Sequence, residues 1–405
     1  MKSLRKRKGN VPTRNITGGN TWNISQILKR SREKIIIVLE VIHVPSRFPV
    51  HILKSRLERF REKMAEKDIE ATMIRTLSSF IYFTGIKWLR PALLIPVDDE
   101  PVAFVARGEE EGFLERTWIK NVVTYVDGGD LMAKVSGRIR GVYRRVGLEF
   151  SVERDSYILF YEMFKRLNPG VEIVDVSGIL SDMRMIKDDY ELEAIRKAGY
   201  KANKAMEKAL SIIKPGITET EIAAEIYHTL YKLGSEEPLV YINAGPHPRV
   251  HSEPFSDVRV RPNTFVTIVI EADHHRYYAN KARTIYTGTP TGLAEKAMKC
   301  MEEVYEKANQ QTRPGKRFID VMKELDKIYA KHDMLEHRVV GYTHSIGLQI
   351  EETPITTIVP AHRFIEIKPR MTLAYIHAPI MLKQLGQIKK EDTHIITYED
   401  SEKLT

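Results

Sequence analysis

The stretch Met185-Ile-Lys-Asp-Asp-Tyr-Glu-Leu-Glu-Ala-Ile-Arg-Lys-Ala198 opens the part of this chain whose reading decides the fold. From Asp189 to Ile213, the residues Leu192, Ile195, Ala198, Ala202, Met206 and Leu210 recur at helical spacing along one side, and Pro215-Gly216 ends the run. Thr218, followed three positions on by Glu221, has the capping-box pattern and opens a second helix, 222–233. Further along, strands are expected at 265–270, 282–287, 372–377 and 394–397, with helices at 293–311 and 318–331. Upstream, Leu57, Phe60 and Met64 mark a helix over 53–67. Strands at 71–74, 92–97, 101–105, 122–126 and 145–150 then alternate with helices at 77–83, 129–144 and 156–167. This is the rhythm of an α/β (α+β) protein with an N-terminal domain over 35–180 and a second domain over 181–405, behind an irregular extension over 1–34. An apolar run at 35–42 suggests one more strand.

With 405 residues, 42% hydrophobic and 29% charged, the chain can bury two or three cores. Its apolar runs, such as 35–39 and 92–97, fall far short of the roughly 20 residues of a membrane helix, so no membrane partner is expected. The start lacks the apolar core of a secretory signal, and Cys300 is the sole cysteine. That excludes an internal disulfide and a thiolate metal cluster, and a cytoplasmic location is the expectation. The net charge of +9 resides in residues 1–34, where ten Lys or Arg face the single acid Glu33. Any contact with nucleic acid or a ribosome would therefore run through that arm rather than the folded body. The high charged fraction leans toward a thermophilic source.

The opening phrase, together with Lys214-Pro-Gly-Ile-Thr-Glu-Thr-Glu221, Thr343-His-Ser-Ile-Gly-Leu-Gln-Ile-Glu-Glu352 and Glu391-Asp-Thr-His-Ile-Ile-Thr397, resembles the creatinase, prolidase and aminopeptidase P family. The resemblance implies a pita-bread domain over 181–405 and a smaller creatinase-like α/β domain before it. It also implies a homodimer and a pocket for a small molecule or peptide. Active relatives hold two divalent ions with two Asp, one His and two Glu, whose charge offsets that of the ions. Read without gaps, the first Asp position here is Val269 and the second is Asn280. His344 fits the His, His377 replaces one Glu and Glu391 fits the other. The remnant set Asn280, His344, His377 and Glu391 has one formal negative charge, so a dinuclear centre is not expected. A single divalent ion on two imidazoles and one carboxylate is the form a metal could still take. A two-residue shift of the strand would bring in Glu271 but breaks the match at Arg283-Thr284, and is disfavoured. Asp273, His274 and His275 read as an exposed turn, since neighbouring strand residues alternate faces.

His251 corresponds to a family histidine that contacts substrate or shuttles a proton, and Glu351 stands where a second family histidine is expected. Tyr277-Tyr278 before Arg283 is similar to creatinase, the metal-free relative, although Ala282 and His377 replace its guanidinium-gripping carboxylates. Three readings follow. The depleted ligand set favours a retained fold serving as a binding or assembly module, with no resident cofactor. The second is a metal-free hydrolase or lyase with His251 and His344 as acid and base and with Tyr278, Arg283 and Glu352 as substrate contacts. The third is an Xaa-Pro peptidase with an altered metal site.

Overall fold

The computed structural model describes residues 48–151 and 156–405. The basic extension at 1–34 and the strand expected at 35–42 lie outside the described residues.

The first domain builds a six-stranded sheet from β1 (Ala71–Ile74), β2 (Leu93–Pro96), β3 (Val102–Ala106), β4 (Asn121–Tyr125), β5 (Arg145–Leu148) and β6 (Glu172–Asp175), in the order β4-β3-β2-β1-β5-β6. Pairs β1–β2 and β2–β3 are antiparallel and the rest are parallel. The helices are α1 (Val50–Ala65), α2 (Leu77–Thr84), α3 (Glu110–Leu114), α4 (Gly128–Ile139), α5 (Ser156–Leu167) and α6 (Ser177–Met185). The spacing that marks α1 in the sequence is its buried stripe of Leu53, Leu57, Phe60 and Met64. The short α3 and the β6–α6 unit were not expected from the sequence. In β6 only half-buried Ile173 and Val174 show an apolar signal.

The second domain begins with α7 (Asp189–Ile212) and α8 (Glu219–Lys232), both started by capping boxes. In α8 the Thr218 hydroxyl accepts from the Glu221 N–H at 3.1 Å, and the Glu221 carboxylate accepts from the Thr218 N–H at 2.8 Å. The cap therefore starts the helix at 219, three residues before the expected start. An antiparallel sheet follows, in the order β11-β10-β12-β15-β9-β8-β7. Its strands are β7 (Leu239–Ala244), β8 (Phe265–His274), β9 (Tyr277–Tyr286), β10 (Thr343–Ser345), β11 (Glu352–Ile355), β12 (Thr372–Tyr375) and β15 (Glu391–Ile396). The small pair β13 (Ile380–Leu382) and β14 (Gly386–Ile388) stands apart, and β16 (Ser401–Lys403), beyond the expected last strand, pairs with β15.

Period-two alternation divides β8. Val266, Ile268, Ile270 and Ala272 join the core formed with Ala202, Met206, Ile222 and Ile226 of α7 and α8. The other face carries Thr267, Val269, Glu271 and Asp273, opposite Thr284, Ala282, Asn280 and Tyr278 of β9. The hairpin closes through His275 and Arg276 alone, both with positive φ, and this two-residue turn fixes the register. Helices α9 (Leu293–Gln311) and α10 (Phe318–Lys331) match their expected spans and pack with Leu373 and Tyr375 of β12.

A buried arginine joins the two domains. Arg56 of α1 donates from Nε at 2.8 Å and from Nη2 at 2.5 Å to Asp188, the N-cap of α7. Its Nη1 donates to the Tyr82 carbonyl, and its guanidinium lies 4.5 Å from the Tyr82 ring. Tyr277 of β9 donates to Glu191 at 3.1 Å within the same cluster. Removing one member of such a buried pair leaves uncompensated acids, so Arg56→Met should cost about 3–5 kcal/mol, read as a lowered urea midpoint. A cost below about 1 kcal/mol would contradict the clamp.

His394 of β15 stacks on Tyr375 with ring centroids 4.1 Å apart and has no hydrogen-bond partner at Nε2 among the described residues. Burial pushes its pKa down to about 4. The unfolded chain therefore takes a proton near pH 6.5 that the folded chain refuses until about pH 4. This stability is present above pH 6.5 and lost as pH falls through that window, by roughly 3 kcal/mol in all. His394→Phe should reduce the slope of urea stability between pH 6.5 and 4, with His251 and His377 among the groups supplying the remainder, and an unchanged slope would show that His394 titrates normally.

Candidate active site

The polar face of the β8–β9 hairpin, the end of β10, the turn after β12 and the start of β15 converge on one buried basin. His344 and Glu391 are wholly buried, and Glu271, Asn280, His377 and Lys389 are nearly so. His344 lies on β10, and its Nδ1 is 2.9 Å from the Ser345 carbonyl, which favours a proton there and leaves Nε2 facing the basin. That Nε2 is 3.1 Å from His377 Nδ1 and 3.5 Å from Glu391 Oε1. His377 is held by its backbone N–H donating to the Tyr342 carbonyl, and its Nδ1 is 3.5 Å from Glu391 Oε1.

Lys389 shares the basin. Its Nζ is 2.5 Å from Glu391 Oε2 and 3.2 Å from His377 Nδ1. Thr284 pins the backbone of Lys389 on both sides, accepting from its N–H at 2.8 Å and donating to its carbonyl at 2.9 Å. Burial works to raise the pKa of Glu391. The Lys389 charge and the neighbouring His344 and His377 nevertheless hold it well below the usual carboxylate range. Burial, with Lys389 and His344, drives His377 well below its ordinary value.

Glu271 corrects the gapless reading of the sequence. It sits directly across from Asn280, whereas Val269 pairs with Ala282, so the acid enters the basin while Asn280 and Arg283 keep their places. The shift disfavoured from sequence costs no match, because the tight turn absorbs it. Burial and the nearby Glu391 charge push Glu271 well above its ordinary value, toward its protonated form. Its Oε2 and Asn280 Oδ1 are buried without hydrogen-bond partners among the described residues.

At the outer rim, the His251 ring lies 4.6 Å from that of His377, and Nε2 of His251 has no hydrogen-bond partner among the described residues. Burial, with Lys389, pushes His251 down to about 4. Glu351 Oε1 is 3.4 Å from His377 Nε2. Two sets of donor atoms thus come within 4.8 Å of one another, His344, His377 and Glu391 inside and His251, Glu351 and His377 outside, with His377 common to both.

The other positions expected to contact substrate are engaged elsewhere. Tyr278 donates to the Glu237 carbonyl at 3.0 Å. Arg283 alternates to the face opposite Asn280 and donates to Asp392 at 2.7 Å. Glu352 is buried between Arg184 and Lys187, which hold its carboxyl low against the opposing effect of burial. Asp273, read from sequence as part of an exposed turn, is fully buried and caps the N–H groups of Glu236 and Glu237. The signal for Lys389 that sequence reading passed over is its position two residues before Glu391, on the same face of an extended chain.

Two divalent ions do not fit these residues. Asn280 carries no charge, burial pushes Glu271 toward its protonated form, and the one inner carboxylate is already met by an ammonium. One ion does fit the outer set, whose two imidazoles and one carboxylate match mononuclear zinc and iron sites and contain no competing cation.

Residues 193–398 match the metallopeptidase family M24, and residues 56–186 match the creatinase/prolidase N-terminal domain. The Xaa-Pro dipeptidase of Pyrococcus furiosus is 26% identical over 358 residues, covering 87% of this chain and 98% of that protein. An uncharacterised peptidase of Staphylococcus epidermidis is also 26% identical, over 366 residues, covering 87% of this chain and 99% of its own length. Among solved structures, the prolidase of Pyrococcus horikoshii OT3 aligns with a TM-score of 0.78 at 24% identity, covering 87% of this chain and 98% of that one. The X-Pro aminopeptidase of Thermotoga maritima aligns at 0.74 and 22% identity, covering 86% and 97%. The chain therefore belongs to metallopeptidase family M24, as a creatinase, prolidase and aminopeptidase P relative with the pita-bread fold and the N-terminal domain that goes with it.

Proposed function

We propose that this chain is a peptidase acting on short Xaa-Pro substrates through an altered centre that takes one divalent cation in place of two. The observation that carries the reading is the Lys389 ammonium 2.5 Å from Glu391, a built-in positive charge at the inner end of the basin. It neutralises the inner carboxylate and leaves the outer set of His251, Glu351 and His377 as the place for an ion. The named relatives, peptidases matched over most of their length, support a hydrolytic role. The binding-module reading has no observation of its own.

A bound ion would polarise the scissile carbonyl and acidify a water. The chain supplies the rest. Glu271 brings a buried carboxyl, pushed toward its protonated form, beside Asn280, and the Lys389 ammonium offers a fixed N–H donor toward developing negative charge. His344, with its proton held toward Ser345, turns Nε2 to the same space, 3.1 Å from His377 Nδ1.

A second reading draws on the same ammonium. Because Lys389 also lies 3.2 Å from His377, the basin has a complete set of acids and bases without any ion.

Metal analysis of the purified protein after dialysis against Zn²⁺ or Mn²⁺, paired with hydrolysis of an Xaa-Pro dipeptide, separates these readings. One equivalent of metal per chain is expected, with turnover that chelation removes. Glu351→Gln and His251→Ala should each weaken metal binding by roughly 10–100-fold. Two equivalents per chain, or no cleavage of any Xaa-Pro dipeptide with metal present, would overturn the proposal. Turnover that survives chelation unchanged would select the metal-free reading instead.

A further inference from the structure

The first domain contains a cavity of about 650 Å³ between the end of β1, the 89–91 loop, the start of α4 and the start of α5. That volume lies within the range of small-molecule sites. Leu77, Leu89, Pro91 and Leu131 give it an apolar body, and Arg75, Tyr125 and Tyr157 line it as well. Arg75 is the unusual member. Its Nε and Nη1 are shielded from solvent and have no hydrogen-bond partner among the described residues. The contacts described for its guanidinium are electrostatic ones with Tyr125 and Tyr157 and a face-on approach to the Phe160 ring at 4.7 Å. No carboxylate among the described residues forms an ion pair with it.

Buried guanidinium groups are ordinarily paired, as Arg56 is with Asp188 in the same domain. Tyr157 repeats the anomaly: it is 8% exposed, and its hydroxyl has no hydrogen-bond partner among the described residues. Arg75 and Tyr157 thus both line the cavity, each with donor atoms that no acceptor among the described residues meets. The first turn of α4, Gly128 onward, also borders the cavity, with its positive dipole end toward it. The acid at that wall, Asp127, turns its carboxylate onto its own helix as the N-cap of Asp130.

We propose that this cavity is a binding site for a small organic oxyanion, a molecule with an apolar body and a carboxylate or phosphate head received by Arg75 and Tyr157. Guanidinium geometry suits either head group. The site is separate from the basin around Glu391 and does not rest on the peptidase reading.

Titration of the full chain with phenylacetate and with phenyl phosphate, followed by calorimetry, distinguishes the two head groups, with phenylacetamide as the uncharged control. At least one anion should bind one-to-one with Kd below about 1 mM, and the amide should not. Arg75→Met should weaken that anion by at least about tenfold, leave Xaa-Pro turnover unchanged, and cost the ligand-free protein little thermal stability, since the arginine loses its contact with the Phe160 ring but no ion pair among the described residues. Leu131→Trp, which fills the cavity without touching the guanidinium charge, should block binding and serves if Arg75→Met does not fold. Failure of both anions to bind at about 10 mM, or equal binding by wild type and both variants, would overturn the proposal.

Discussion

A single ion pair, Lys389 with Glu391, sets the character of the basin. Both groups are buried, and in such surroundings a carboxylate is retained as an anion only when a cation or several donors face it. Lys389 meets that need from within the chain, helped by His344 and His377. Strand alternation keeps the arrangement local. Glu391 points into the basin, while Asp392, the next residue, points away into a cluster of Lys281, Arg283, Lys403 and Tyr305 that anchors β15. A family centre built to balance the charge of two ions is thereby reduced to a nearly neutral basin with an accessible three-donor rim.

The hairpin supplies the rest of that neutrality. His275 and Arg276 form the tightest turn that two strands allow, and it is this turn that brings Glu271 opposite Asn280. An acid near another acid, deep in the fold, is pushed toward its protonated form, and Glu271 stands in that position beside Glu391. Local backbone geometry therefore decides the chemistry as much as residue identity does.

Much of this was legible in the sequence, and the rest was hidden for physical reasons. Capping boxes and helical stripes announce α7, α8, α9 and α10 because those signals are local. Asn280, His344, His377 and Glu391 could be placed from motifs, and they do converge. Glu271 was misplaced because a gapless comparison carries no information about turn length, whereas the register depends on it. Lys389 escaped notice because a lysine near a strand end ordinarily reads as a solvated charge, and only the folded sheet reveals its burial. Arg56 and Arg75 make the same point. Both are arginines of the first domain, yet one meets Asp188 across 132 residues and the other meets no acid among the described residues. No local pattern distinguishes them.

The central claim, that an internal ammonium holds the inner end of the basin so that one ion at most can join it, is tested most directly by diffraction. Crystals soaked in Mn²⁺ or Zn²⁺ would be measured at the metal absorption edge. The account predicts one anomalous peak per chain, beside His377, with Lys389 still on Glu391. Two peaks about 3.5–4 Å apart, bridged by Glu391 with Lys389 swung away, would contradict it.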